Sequence, residues 1–184
     1  MNKRTRQYVG LLSAILAYYF IHEGAHFIYA LIIGAFKKIN IMGFGVQIDI
    51  YAERLTNTQL GIFCILGSIA TLISAYLLIV FADKIGTVSS KPFKACMYYI
   101  TIAMLLLDPL YLGLLCDLFG GGDMNGIALL MPELVARIIY CVILAINVWL
   151  FIKIILPKYK LAFEEKEEKD LSADEAEASE ENIE

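Results

Sequence analysis

Four long runs of apolar residues constrain this chain more than any other feature of its sequence. They cover about residues 8–36, 60–82, 93–119 and 134–156. Each run reaches the roughly 20 apolar residues that a helix needs to cross a bilayer, and each is apolar around its whole circumference. Hydrophobic residues make up 59% of the chain, which argues against a water-soluble globular domain. We therefore predict an all-α membrane protein with four transmembrane helices, integral and multi-pass, in the cell membrane.

The first run is predicted to be a retained helix and not a cleaved signal peptide. Lys3, Arg4 and Arg6 would suit the basic start of a signal peptide, but apolar sequence continues to Phe36 without a clear small-residue cleavage site.

The segments between the runs differ in character. In residues 37–58, the segment Gly43-Phe44-Gly45 precedes Val46–Tyr51, where apolar and polar residues alternate. This pattern predicts a short β-hairpin-like element after the first helix. Residues 120–132 are predicted to be a loop, because they begin with three glycines and end at Pro132, a residue suited to start the last helix.

Charge divides the chain into two parts. The net charge is −4, yet eleven acidic residues and only two lysines follow Phe163, so the body of the chain is net basic. We predict a membrane domain over residues 1–160 and an acidic, disordered tail over residues 161–184. No basic patch suited to nucleic acid is present. The four cysteines lie in apolar runs without a C-x-x-C pair, and we expect them to be reduced packing residues.

The strongest chemical signal is the segment His22-Glu23-Gly24-Ala25-His26 in the first apolar run, which contains both histidines of the chain. Residues four apart lie on one face of a helix, so both imidazoles can reach one divalent ion. Glu23 lies beside them and can take a proton from a water molecule bound to the metal. A structural polar network is the alternative, but burying a charged group in a bilayer without a purpose costs roughly 2.5–3.5 kcal/mol.

A catalytic zinc usually has three protein ligands, and no third histidine exists. Three aspartates in apolar surroundings are candidates, namely Asp108, Asp117 and Asp123. We favour Asp123, because the glycines before it permit a backbone that approaches the metal. Asp108 is the main alternative ligand, because it lies in the middle of an apolar run. Its other possible role is structural, as part of a hydrogen-bonded kink at Pro109.

This arrangement resembles the site-2 protease family of intramembrane zinc metalloproteases over roughly residues 15–130. The resemblance rests on the H-E-x-x-H in the first hydrophobic helix and on Gly43-Phe44-Gly45, where the family carries a β-structured element. The family's second signature, roughly N-x-x-P-x-x-x-L-D-G, is absent in that form. Asp108-Pro109 stands where Asn and Pro are expected, and a Gly-Asp-x-Asn-Gly loop follows.

The motif and the resemblance together predict a zinc metalloendopeptidase that cleaves transmembrane or membrane-associated peptides. His22, His26 and Asp123 would bind Zn²⁺, and Glu23 would be the general base and acid. Residues 39–51 either capture an unwound substrate as an added strand or pack as a surface hairpin. Two alternatives remain: a metal-binding membrane protein without proteolysis (a sensor, a transporter component or a degenerate protease relative), and a scaffold that recruits partners through its acidic tail.

Orientation in the membrane is left open by two conflicting indications. Most basic residues outside the runs favour cytoplasmic termini, which places residues 37–58 outside. The resemblance implies that the site and its β-element lie nearer the cytoplasm. The oligomeric state also stays open.

Overall fold

The computed structural model describes residues 1–42 and 45–164. Helix α1 spans Lys3–Ile32 and begins at Asn2, whose side chain accepts a hydrogen bond of 2.8 Å from the Thr5 N–H. The predicted run to Phe36 was too long at this end. Gly34 adopts a left-handed φ of 66°, which glycine tolerates without steric cost and which ends the helix.

The predicted β-hairpin is confirmed. Strand β1 spans Phe36–Met42 and strand β2 spans Gly45–Ile50, and the two pair antiparallel with Ile39 opposite Ile48. Of the Gly43-Phe44-Gly45 segment, Gly43 and Phe44 lie outside the described residues. The hairpin packs against α1.

Helix α2 spans Asn57–Val80 and begins with a reciprocal cap, in which Thr56 and Gln59 each bond to the backbone N–H of the other. A short helix α3, Ala82–Thr87, leads into α4, Lys91–Leu110. Near the end of α4, Pro109 removes one backbone donor. The chain then continues as a π-helical turn over Tyr111–Leu115 and a 3₁₀ turn over Cys116–Phe119.

Residues 120–132, predicted to be a loop, contain a short helix α5, Asp123–Ile127. Helix α6 spans Glu133–Leu150 and has Pro132 as its cap, directly before the helix. It continues through a π-helical turn over Phe151–Ile155, and the helical chain then runs to Glu164, past the domain boundary predicted at residue 160. The acidic segment 165–184 lies outside the described residues, so its predicted disorder stays a prediction.

Four of these helices are long and apolar enough to cross a membrane, as predicted: Lys3–Ile32, Asn57–Val80, Lys91–Leu118 and Glu133–Glu164. Helix α1 packs against α4 and α2, and α6 packs against α4 and the π-helical turn that follows it. Their outward faces carry exposed apolar side chains such as Phe20, Val80 and Leu134, which suits contact with lipid. All four cysteines are free thiols, as predicted.

Polar side chains buried between these helices are hydrogen-bonded across the interfaces. Asn147 on α6 donates to the Leu105 carbonyl on α4 at 2.7 Å and accepts from Tyr76 on α2 at 2.9 Å. Ser68 on α2 meets Tyr140 on α6 at 2.6 Å. Because an unpaired polar group inside an apolar bundle is costly, these bonds hold the helices in one register and so fix where the site side chains meet.

Candidate metal centre

The two histidines of α1 point to the same place. Both side chains are buried, and their Nε2 atoms lie 3.1 Å apart. The four-residue spacing places the rings one helical turn apart on one face, with their centroids separated by 4.9 Å. The structure thus produces the shared face that the motif predicted.

The other ring nitrogens face hydrogen-bond acceptors. His26 Nδ1 lies 2.7 Å from the Phe63 carbonyl oxygen, and His22 Nδ1 lies 3.3 Å from the Asp108 carboxylate. A carbonyl and a carboxylate can only accept, so each neutral imidazole carries its proton on Nδ1. Both Nε2 atoms then present lone pairs to the space between them.

Asp123 brings a third electron-pair donor to this space. Its Oδ2 lies 3.2 Å from His22 Nε2 and 3.6 Å from His26 Nε2. The aspartate begins α5, directly after three glycines with positive φ (Gly120–Gly122). A side chain at residue 122 would collide with the Tyr111 hydroxyl, so the turn that aims Asp123 at the histidines requires glycine.

The spacing of these three atoms suits a small divalent ion. Ligand atoms around a tetrahedral zinc, with bonds of about 2.0–2.1 Å, are separated from one another by about 3.3–3.4 Å. The observed separations of 3.1, 3.2 and 3.6 Å bracket that value. Two imidazoles and one carboxylate form a donor set that first-row divalent metals accept. His22, His26 and Asp123 can therefore hold such an ion.

The two Nε2 atoms and the Asp123 carboxylate can also bind protons in place of a metal ion. Burial by itself raises the pKa of the Asp123 carboxyl, but its hydrogen bonds and coulombic interactions with His22 and His26 outweigh burial and lower this pKa to about 2. Asp123 is therefore ionised at neutral pH, as a metal ligand must be.

Asp108, the competing third ligand, lies on the opposite side of His22. It is fully buried and accepts hydrogen bonds from Tyr18 at 2.5 Å and from Thr71. It also contacts His22 Nδ1. It therefore orients the imidazole through the ring nitrogen that does not face Asp123. A carboxylate in this position fixes the ring tautomer and orientation and increases the basicity of the ligating nitrogen.

Asp117, the third candidate, points away from the histidines. It is exposed and pairs with Arg137, which also bonds to Glu133 at 2.6 Å. Cys116, Asp117 and Glu133 form a second group with metal-compatible spacing. The Arg137 guanidinium already pairs with both carboxylates of that group, so these ion pairs account for their positions without a metal.

Glu23 lies at the same cavity and contacts the hairpin. Its Oε2 accepts a hydrogen bond of 3.1 Å from the Ile48 N–H on β2. In an antiparallel pair, successive residues direct their backbone groups alternately toward the partner strand and away from it. Ile48 therefore belongs to the set that faces away from β1, and the free edge of β2 faces Glu23.

A cavity of about 810 Å³ joins these groups. It is lined by His22, Glu23, His26 and Asp123 and by the β2 residues from Gly45 to Ile48. The cavity thus combines ionisable groups with an edge of β2 that no strand pairs with among the described residues.

Sequence reasoning missed Gly67 of α2, which approaches the histidines directly. A Cβ at this position would lie 2.6 Å from both Nε2 atoms. Only a residue without a side chain lets α2 pass this close to the centre. The available signal was an isolated glycine inside an apolar helical run, which often marks a close approach.

Replacing Gly67 by Ala is expected to force the imidazoles apart and to weaken metal binding. Disturbing the surroundings of a metal typically costs roughly 10–100-fold in affinity, and we expect at least that loss, measured by competition with a chelator. The matched control is Gly24→Ala within the motif, because a Cβ at residue 24 meets nothing within 4 Å. Equal affinity in the two variants would contradict this role for Gly67.

Comparisons of the chain with known protein families, with curated proteins and with solved structures give no match.

Proposed function

We propose that this protein is a multi-pass integral membrane protein and an intramembrane zinc metalloendopeptidase. The observation that carries the proposal is the convergence of His22, His26 and Asp123 beside Glu23 in a cavity between apolar helices. The motif adds support, since two histidines and a glutamate in this order suit the hydrolysis of peptide bonds.

His22, His26 and Asp123 would hold the zinc ion, and three protein ligands leave a position open for water or substrate. When bound, zinc polarises water and the scissile carbonyl as a Lewis acid. The Phe63 carbonyl and the Asp108 carboxylate keep the two imidazoles in the tautomer that binds metal.

Glu23 would move the proton that hydrolysis requires. Its carboxylate accepts a proton from the attacking water, whose oxygen forms a bond to the carbonyl carbon of the scissile peptide. The carbon–nitrogen bond then breaks, and Glu23 passes the proton to the departing amine. The products are one carboxylate and one amine, and no covalent intermediate with the enzyme forms.

The substrate class follows from the surroundings of the cavity. A helical membrane segment hides its peptide bonds in its own hydrogen bonds, so it must unwind before it can be cleaved. The free edge of β2 lines the cavity beside the metal ligands and supports binding of the unwound segment as an added strand. We therefore propose transmembrane or membrane-associated peptides as substrates.

A non-proteolytic metal-binding membrane protein is the second candidate. One contact favours it. The Glu23 carboxylate, which proteolysis would require to take a proton from water, already accepts a hydrogen bond from the Ile48 N–H. A metal sensor, a transporter component or a degenerate protease relative would keep the same metal ligands without using Glu23 as a base.

Zinc removal tests the proposal. The purified full-length protein, reconstituted with a labelled single-span peptide, is expected to cleave it when loaded with zinc. Cleavage should be lost after chelation and restored by added zinc, because the hydrolytic water needs the metal. A protein that binds zinc stoichiometrically and cleaves none of a panel of membrane peptides would instead support the second candidate.

A further inference from the structure

One end of the helical bundle is strongly basic. The beginnings of α1 and α4 and the ends of α2 and the last helix meet there, as shown by the contact of Arg6 with the Phe163 ring at 5.2 Å and the pairing of Lys158 with Asp83. Among the described residues, the only acids at this end are Asp83 and Glu164, against the following cations: Lys3, Arg4, Arg6, Lys84, Lys91, Lys94, Lys153, Lys158 and Lys160.

Several of these cations have no acidic partner. Within residues 1–42 and 45–164, no carboxylate pairs with Lys3, Arg4 or Arg6. Lys160 lies 3.8 Å from Glu164 in an exposed pair, which contributes little. This part of the surface therefore holds an excess of positive charge.

Three of these cations and one carboxylate line a cavity of about 340 Å³. Its charged lining residues are Lys3, Arg6, Lys160 and Glu164, which leaves a net positive charge, and Tyr98, Tyr99 and Phe163 are its aromatic lining residues. A second cavity of about 380 Å³ shares Gln7 and Tyr99 with the first and adds Arg4.

Below these cations the surface becomes apolar. Tyr8, Leu11 and Leu12 on α1 are 72%, 51% and 58% exposed, and Tyr8 and Leu11 line the second cavity. Positive charge above an exposed apolar strip is the pattern that a lipid with an anionic headgroup and acyl chains would match.

We propose that this basic cavity binds the phosphate headgroup of an anionic phospholipid, with the acyl chains lying along the exposed strip of α1. The proposal rests on the membrane location proposed above and not on proteolysis. Anionic lipids are enriched in the cytoplasmic leaflet. The proposal therefore also places this end of the bundle, with the beginning of α1 and the end of the last helix, on the cytoplasmic side.

The acidic segment that follows Glu164 is the competing occupant. Opposite charge would attract it to the same cations. The apolar strip favours the lipid, because residues 165–184 contain few large apolar side chains and would leave Tyr8 and Leu11 uncovered.

Native mass spectrometry of the full-length protein, mixed with equal amounts of phosphatidylglycerol and phosphatidylcholine, tests the proposal. We expect retained phosphatidylglycerol to exceed phosphatidylcholine. Since a Lys or Arg near an anionic surface contributes about 1 kcal/mol, Arg6→Gln with Lys160→Gln should reduce the affinity roughly 25-fold. The charge-conserving pair Arg6→Lys with Lys160→Arg should retain the preference, and its loss there would overturn recognition by charge.

The matched control is Lys84→Gln with Lys91→Gln, which removes the same charge from the same end but outside both cavities. An equal loss in this control would overturn the cavity as the binding site.

Displacement of the lipid by soluble glycerol phosphate would overturn the part assigned to the apolar strip. A full-length protein that enters lipid nanodiscs but shows no anionic preference overturns the proposal, and is the result expected if the acidic segment fills the cavity. A protein that does not enter nanodiscs contradicts the proposed membrane location itself.

Discussion

Replacing Glu23 by Gln is expected to abolish peptide cleavage while the metal stays bound. The amide keeps the size of the side chain but cannot accept the proton of the attacking water, and a positioned general base contributes typically 10²–10⁴-fold to a rate. The proposed zinc ligands, His22, His26 and Asp123, are untouched by this change. The measurement is the cleavage rate of a membrane peptide beside the zinc content of the same preparation.

Glu53→Gln is the matched control for this experiment. Glu53 is exposed in the 3₁₀ turn Ala52–Arg54 after the hairpin, so the change removes one carboxylate without touching the cavity. We expect full cleavage and full zinc content. Equal cleavage by the wild type and Glu23→Gln would refute the proposed chemistry, even if the zinc site itself were present.

Three aspartate-to-asparagine variants should rank in a fixed order of zinc affinity. Asp123→Asn removes a carboxylate that faces both Nε2 atoms and should cause the largest loss. Asp108→Asn leaves the metal ligands in place but weakens the orientation of His22, for which a loss of roughly 10–100-fold is typical. Asp117→Asn changes an exposed pair with Arg137 and should bind zinc like the wild type.

Zinc affinity measured by chelator competition in detergent gives this order. The Asp117 variant is the matched control, because it has the same chemical change within the same part of the chain. If Asp108→Asn lost the metal while Asp123→Asn kept it, the ligand set would be His22, His26 and Asp108, and the proposed centre would be wrong. Helical content checked by circular dichroism separates loss of a ligand from loss of the fold.

Local patterns in the sequence predicted the parts of the structure that depend on local interactions. Four helices follow from the length of the apolar runs, and the hairpin follows from alternation after a glycine-containing turn. The shared face of His22 and His26 is a property of helical periodicity alone. The helix end at Gly34 was misjudged, because the apolar residues continue past it while the backbone turns left-handed.

The third donor was harder to derive, because the contact of His22 with Asp123 spans 101 residues. Asp108, Asp117 and Asp123 are all candidates in a linear reading, since each lies among apolar neighbours, and only the glycines before Asp123 favoured it. The tertiary structure separates them by direction: Asp108 faces Nδ1 of His22, Asp117 faces Arg137, and Asp123 faces both Nε2 atoms. The role of Gly67 is likewise visible only once α2 lies against α1.

The sequence by itself thus determined that this chain consists of long apolar helices, the first of which carries two histidines on one face and a glutamate beside them. Helical periodicity and hydrophobic runs depend on residues that are close in sequence, so the sequence alone reveals them. Only the tertiary structure decided which aspartate meets the histidines, that Glu23 contacts the edge of β2, and that Lys3, Arg6 and Lys160 line one cavity at one end. Those arrangements depend on the packing of α1, α2 and α4 and on the backbone of the Gly120–Gly122 turn, which no local pattern specifies.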